Sequence, residues 1–414
     1  MTAPSALRNP YALVPALCLI VYCLHAQEAP TNYFRELAEN FLQGRLHIAA
    51  PSNTHDLVHF GGRYYLYWPP VPALLFMPLV ALFGSGVSDN LVTSLFGTAN
   101  VWLFMQACRQ LSARFMLGLQ RREITALGIF WGLGTVHFYM SSKGDVWLIS
   151  QVIAQTMLLA SVVAFLARKP LLLSGLFFAL AVYTRNDLVF AAIFFFALHR
   201  AILSQRRGGR MIGDGLLFIL PFLVCSMLNA WYNWTRFGDA FENGLQYHVM
   251  SHHFAENFHR HGYFSLHYLP HNLYTEVFHA PTLIPRPPFI LDEPEGFGFL
   301  WASPLFFWLA PAVALWIYRI VRQRRGVPGS QQWLAGGSIA AALPIAATIF
   351  LIMGTGWVQF AARYTLDFQV FLLFFLLASW PRLRALPGAR RVSVVLIVLS
   401  VAIQAVGAGH YHWW

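Results

Sequence analysis

Apolar and polar positions along this chain fall into long blocks. Uninterrupted apolar runs of roughly 20 residues recur, the length an α-helix needs to cross the hydrocarbon core of a bilayer. Strands of a membrane barrel would alternate residue by residue, and these runs do not. The blocks predict spans at about 10–26, 89–108, 124–141, 146–167, 171–184, 187–203, 212–235, 297–319, 333–353, 362–380 and 392–409. The expected fold is therefore an all-α polytopic membrane protein with about eleven transmembrane helices, a single integral membrane domain over 1–414. The first apolar run, YALVPALCLIVYCLHA, has no small-x-small cleavage site and reads as a retained span.

One block breaks the pattern. In HDLVHFGGRYYLYWPPVPALLFMPLVALFG, residues 55–84, a polar and aromatic stretch passes a double proline and becomes apolar only from Val71 to Phe83. That apolar part is too short to cross comfortably. Just upstream, NYFRELAENFLQGRLHI puts Tyr33, Phe34, Leu37, Phe41 and Leu42 on one helical face. It predicts an amphipathic helix lying in the membrane interface, with Gly44 as its stop.

Composition supports the membrane reading. Of the 414 residues, 57% are hydrophobic and 11% charged, against about 25% charged in a soluble chain. The net charge of +11 does not point to nucleic acid. Most of the 28 basic residues are arginines in short loops, CRQLSARFMLGLQRR, ARKP, HRAILSQRRGGR, YRIVRQRR and PRLRALPGARR, the bias of cytoplasmic loops. With these loops inside, two long polar segments fall outside: a first outer loop over 27–88, with the interfacial helix and the half-span, and a second over 236–296 with no helical pattern of its own. The parity works only if 71–83 does not cross and stays on the outer side as a juxtamembrane or re-entrant helix. Cys18, Cys23, Cys108 and Cys225 lie in or beside apolar runs, without metal spacing or a disulfide framework.

The outer face holds the candidate chemistry. Its acids include Glu28, Asp56, Asp145 and Asp187. A carboxylate in a partly dry site can take the proton of an acceptor hydroxyl. Its cations are few, among them Arg63, Arg236 and Arg363, and a phosphate leaving group needs such partners. Tyr64 and Tyr364, beside two of them, complete the expected substrate-binding set. Half of the 16 histidines lie between His248 and His279. A zinc site from His252 or His253 with His259 and His261 is conceivable, yet no H-E-x-x-H or Cys/His knuckle is present. No cofactor and no metal is expected, a divalent ion being unsupported.

As a set, NYFRELAENFLQGRLHI, the 55–84 block, SSKGDVW, WYNWTRFGDAFENG and QFAARYTLDF resemble the GT-C superfamily of membrane glycosyltransferases, in particular its bacterial branch related to protein O-mannosyltransferases and aminoarabinose transferases. The resemblance implies a polyprenyl-phosphate sugar donor met at the outer face of the bacterial cytoplasmic (inner) membrane, and a lipid, glycan or protein acceptor. It implies juxtamembrane helices in the first outer loop, a catalytic aspartate just after the first span, and a second acid in the next outer loop. Asp145 matches the second acid. At the first acid this chain departs: HAQEAPTNYF offers only Glu28, with Asp56 as reserve. The competing reading is a non-catalytic lipid-handling or transport protein, flippase-like. Such a protein should hold ionisable residues at mid-span, whereas here the acids gather at the outer ends.

Overall fold

A computed structural model describes residues 9–26, 29–203, 211–291, 293–322 and 329–410. Among the described residues the regular elements are helices, apart from one two-stranded hairpin. After α1 (Pro10–Leu24) come the amphipathic α2 (Tyr33–Leu42), the hairpin β1 (Val58–Phe60) and β2 (Arg63–Tyr65), and the short α3 (Val71–Phe83). Then follow α4 (Asp89–Phe115), α5 (Arg121–Leu133), α6 (His137–Ser141), α7 (Val146–Leu166), α8 (Leu171–Val182), α9 (Ala191–Leu203) and α10 (Met211–Phe237). The remainder is α11 (His252–His261), α12 (Leu269–Leu273), α13 (Phe299–Ala302), α14 (Leu309–Arg322), α15 (Ser330–Leu351), α16 (Leu366–Leu383) and α17 (Ala389–His410).

Seven described helices are long and apolar enough to cross a membrane, and shorter apolar helices accompany them, so the chain is a multi-pass membrane protein. Among the spans α7 is the most enclosed and α10 the least. Accordingly α7 packs on α4 and α8 near the centre, while α10 packs mainly on α8 and turns most of its apolar surface to lipid. Gly175 makes that last contact possible, since a Cβ there would strike the main chain of Phe218.

The helix ends sort into two faces. At one, Gln331 donates to the Phe115 carbonyl, Arg384 to that of Gly118, and Trp380 to Glu123. Among the described arginines, Arg384 and Arg390 stand here, the latter beside Glu123. The opposite face carries both long polar segments. There α2 and α3 lie against each other. Arg35 of α2 donates to the Ser85 carbonyl just beyond α3 (2.6 Å) and pairs with Asp89 at the start of α4 (3.3 Å). The 13 residues of α3 span only about 20 Å at 1.5 Å per residue. The end of α3 therefore lies beside α2, and α4 runs from there to the basic face.

Three segments differ in form from the sequence reading. The run 124–141 is not one helix. It breaks at Gly134 into α5 and α6, and His137 at the break bonds Tyr22 and Asn100 inside the bundle. The run 297–319 starts as α13 and a 3-10 turn before α14 forms. The second polar segment does have helices, α11, α12 and a π turn over Tyr274–Phe278. They are one to three turns long and crowded with histidine and aromatic rings, so no apolar period stands out.

Candidate active site

The polar face is organised around the start of α7. Asp145 occupies the N-cap position, yet its side chain makes no capping bond. Its carboxylate turns away instead. Oδ1 accepts from the Thr31 hydroxyl (2.7 Å) and more loosely from the Thr31 amide (3.4 Å), while Oδ2 pairs with Lys143 Nζ (3.0 Å). The Thr31 carbonyl in turn accepts from the Val146 amide. Local sequence makes this possible: a Cβ on Gly144 would come within 2.5 Å of the Asp89 main chain, and its amide donates to Asn90. Only glycine lets the KGD turn sit so close to α4.

Asp56 reaches the same helix from the first polar segment. Trp147, in the first turn of α7, donates its indole N–H to Asp56 Oδ2 (2.9 Å). His248 Nε2 lies 3.2 Å and His55 Nε2 3.7 Å from Oδ1. Main-chain bonds between Asp56 and Val249, and between Val249 and Leu57, splice the two polar segments together. Asp56 adopts φ 61°, a left-handed conformation that aspartate tolerates better than most residues. Burial pushes its carboxyl up. The bonds and charges of His248, His55 and Trp147 outweigh burial and hold it below the usual carboxylate range. Tyr33 of α2 lies between the two acids. It donates to the His55 carbonyl (2.6 Å), and burial with the charges of Asp56, Glu36 and Asp145 drives its hydroxyl pKa upward.

Arg363 stands in the 3-10 turn that opens α16 and is buried. Its Nη1 makes one long bond to the Trp357 carbonyl (3.4 Å), Nε has no hydrogen-bond partner, and the guanidinium lies 5.1 Å from the Tyr364 ring. Gln151, one turn beyond Trp147 on α7, donates to the Arg363 carbonyl and to Asp367, so α7 fixes both acids and the α16 turn. Glu276, in the π turn, is completely buried with neither carboxylate oxygen bonded. Burial drives its carboxyl upward, opposed by the charge of Arg363. Among the described residues no group of three His, Cys, Asp or Glu side chains could hold a metal ion.

Beside this constellation lies a hollow of about 220 Å³, lined by Trp147, Arg185, Asp187, Tyr263 and Tyr364 together with Tyr67 and Trp68. Asp56 touches it through Trp147, and Arg363 through its neighbour Tyr364. The other expected residues fall elsewhere. Arg236 is committed to the Leu66 carbonyl and the Asn233 side chain (both 2.7 Å), and its guanidinium lies 3.8 Å from the Tyr232 ring. Arg63 is exposed on the hairpin, where Tyr64 pairs across the strands with His59. Glu28 lies outside the described residues.

A solved structure shares the architecture. The crystal structure of the Archaeoglobus fulgidus oligosaccharyltransferase in its apo form superposes with a TM-score of 0.51 at 12% identity, covering 97% of this chain and 55% of that one. The chain shares its fold with a little over half of that oligosaccharyltransferase. That is a GT-C architecture. The archaeal oligosaccharyltransferase AglB from A. fulgidus, in complex with an inhibitory peptide and a dolichol-phosphate, gives 0.48 at 11% identity over 97% and 56% of the two chains. This chain spans a little over half the length of either. No protein-family model and no curated protein matches it in sequence.

The start of α7 holds Asp145 directly and Asp56 through Trp147. Sequence reasoning missed the partners: Lys143 for Asp145, His248 for Asp56, and the Arg185–Asp367 pair.

Proposed function

We propose that the protein is a glycosyltransferase, moving a sugar from a polyprenyl-phosphate-linked donor to an acceptor at the outer face of the cytoplasmic membrane. The observation that carries this reading is the convergence of two acids, the half-buried Asp56 through Trp147 and the buried Asp145 as the N-cap residue, on the first turn of α7 beside an aromatic-lined hollow. In the reaction the acceptor hydroxyl gives its proton to a carboxylate and attacks the anomeric carbon. The bond from that carbon to the phosphate oxygen breaks, and polyprenyl phosphate leaves.

Two carboxylates are available as the base, Glu28 and Asp56. What supports Asp56 is its environment: its side chain is 19% exposed, oriented by Trp147 and His248, and held in the ionised form. Asp145 is neutralised by Lys143 and bonded by Thr31, which suits anchoring the first polar segment rather than taking a proton. Arg363, buried with an unbonded Nε, is the proposed partner of the leaving phosphate. Its guanidinium stabilises charge that develops only as the bond breaks.

The test is transfer of label from radiolabelled polyprenyl-phosphate sugars to lipid, glycan or protein in membranes containing the chain. Transfer is expected, and Asp56→Asn should lower it on the order of a hundredfold or more, as loss of a general base does. If Glu28→Gln abolishes transfer while Asp56→Asn does not, Glu28 is the base. Labelled lipid that crosses the bilayer without sugar transfer would identify a flippase instead.

A further inference from the structure

At the basic face, where Arg384 bonds the Gly118 carbonyl, the ends of α1, α4 and α5 form a charge arrangement that the proposed transfer does not use. A hollow of about 530 Å³ opens between them, lined by Arg109 of α4, Arg121 and Ile124 of α5, Tyr11 of α1, and Leu119. The Arg109 guanidinium lies 5.8 Å from the Tyr11 ring. Arg121 also borders a second hollow, shared with Arg122, Pro10 and Ile129. Among the described residues, no carboxylate lines either one. Glu123, the acid nearest in sequence, is turned toward α16 and α17. Its Oε1 accepts from Trp380 (3.1 Å) and lies 3.6 Å from Arg390, and its Oε2 accepts from the Gln120 amide (2.8 Å). Guanidiniums gathered without an acid repel one another, and an anion among them removes that repulsion. The first turn of α5 starts at Arg121, and the positive end of its dipole adds to the same field.

The walls narrow that anion. Leu119 and Ile124 are apolar, and Met116, which also lines the first hollow, is 80% exposed. Pro10, at the second hollow, stands on the same face of α1 as Leu13 and Leu17, three and seven residues further on. Those two leucines are 53% and 45% exposed and turn to lipid. A small inorganic anion gains nothing from such walls. A ligand with an anionic head and long apolar chains satisfies both parts: guanidinium forks fit phosphate oxygens, and the chains continue along α1 into the bilayer. Basic pockets between membrane helices suit anionic lipid headgroups for this reason.

We propose that Arg109, Arg121 and Arg122 form a binding site for an anionic phospholipid of the leaflet at the basic face. The headgroup phosphate lies among the guanidiniums, and the acyl chains lie against the exposed leucines of α1. The site is separate from the acids at the start of α7 and does not rest on the glycosyltransferase reading.

The experiment is native mass spectrometry of the full chain in neutral detergent, titrated with phosphatidylglycerol and, separately, with phosphatidylcholine. The wild type should retain phosphatidylglycerol in preference. One arginine near a membrane surface contributes about fivefold to anionic-lipid binding, so Arg109→Gln/Arg121→Gln should reduce the preference on the order of twentyfold. Arg109→Lys/Arg121→Lys, which keeps the charge and loses the fork, should fall between. Arg168→Gln/Lys169→Gln removes the same charge from the exposed turn after α7 and should keep the preference within about twofold. Phosphatidylcholine binding should be the same in all variants, which reports an intact fold. Equal losses in the two Gln variants make the attraction a general field of the basic face and overturn the site. A wild type without preference overturns it as well. Displacement of phosphatidylglycerol by millimolar inorganic phosphate makes it a site for a free anion and overturns the lipid assignment.

Discussion

Replacing Lys143 with methionine tests whether the start of α7 is held by one buried ion pair. Lys143 Nζ sits 3.0 Å from Asp145 Oδ2, and the two side chains are 9% and 5% exposed. Solvent screens such a pair little. Removing one partner of a buried pair leaves an uncompensated charge and typically costs about 3–5 kcal/mol. The Thr31 hydroxyl and amide remain to solvate the Asp145 carboxylate, which places the expected loss near the lower end, about 3 kcal/mol. Asp145→Asn should cost a similar amount by stranding the lysine. The double variant Lys143→Met/Asp145→Asn removes both charges and keeps an acceptor for Thr31, so it should return to within about 1 kcal/mol of wild type, a coupling energy of about 3 kcal/mol or more. The assay is a denaturant titration in mixed micelles, followed by helical circular dichroism, on all four proteins. Single variants that each cost less than about 1 kcal/mol, with losses that add in the double variant, would refute the claim that the pair is energetically buried.

Four further outcomes are expected. Gly144→Ala must move the KGD turn away from the Asp89 main chain by about an ångström, and turnover should fall about a hundredfold, as misplacement on that scale does; unchanged transfer shows that the turn tolerates a Cβ. His248→Ala removes a bond and a charge that lower the Asp56 carboxyl pKa. A base works when deprotonated, so the acid limb of the pH–rate profile, lying below the usual carboxylate range in the wild type, should move to higher pH; an unmoved limb excludes Asp56 as the titrating base. Arg363→Lys keeps the charge but loses the fork that fits phosphate, and donor turnover should drop tenfold or more, about 1.4 kcal/mol; unchanged turnover removes Arg363 from the site. A cysteine at Ser85, in a protein freed of its four natural cysteines, should react with an impermeant maleimide from the side that Asp56 occupies, and labelling only after permeabilisation contradicts a half-span that stays on one face.

Sequence alone determined the membrane class and the all-α fold, because apolar block length is a local property that a bilayer reads directly. It also determined α2, through the spacing of Tyr33, Phe34 and Leu37, and the short apolar helix α3, through the length of its apolar run. It marked Asp145 and Asp56 as acids on one face. Only the tertiary structure decided what those acids touch. Asp145 occupies a helix cap that local rules would use for capping, yet Lys143 and a threonine 114 residues away claim its carboxylate. Asp56 owes its environment to His248 on the far polar segment, and Asp367 owes its neutralisation to Arg185, 182 residues away. Such pairs leave no period in the sequence. Polar loops gain their geometry from contacts between distant segments, and a charged residue's role depends on which opposite charge the folded chain brings to it.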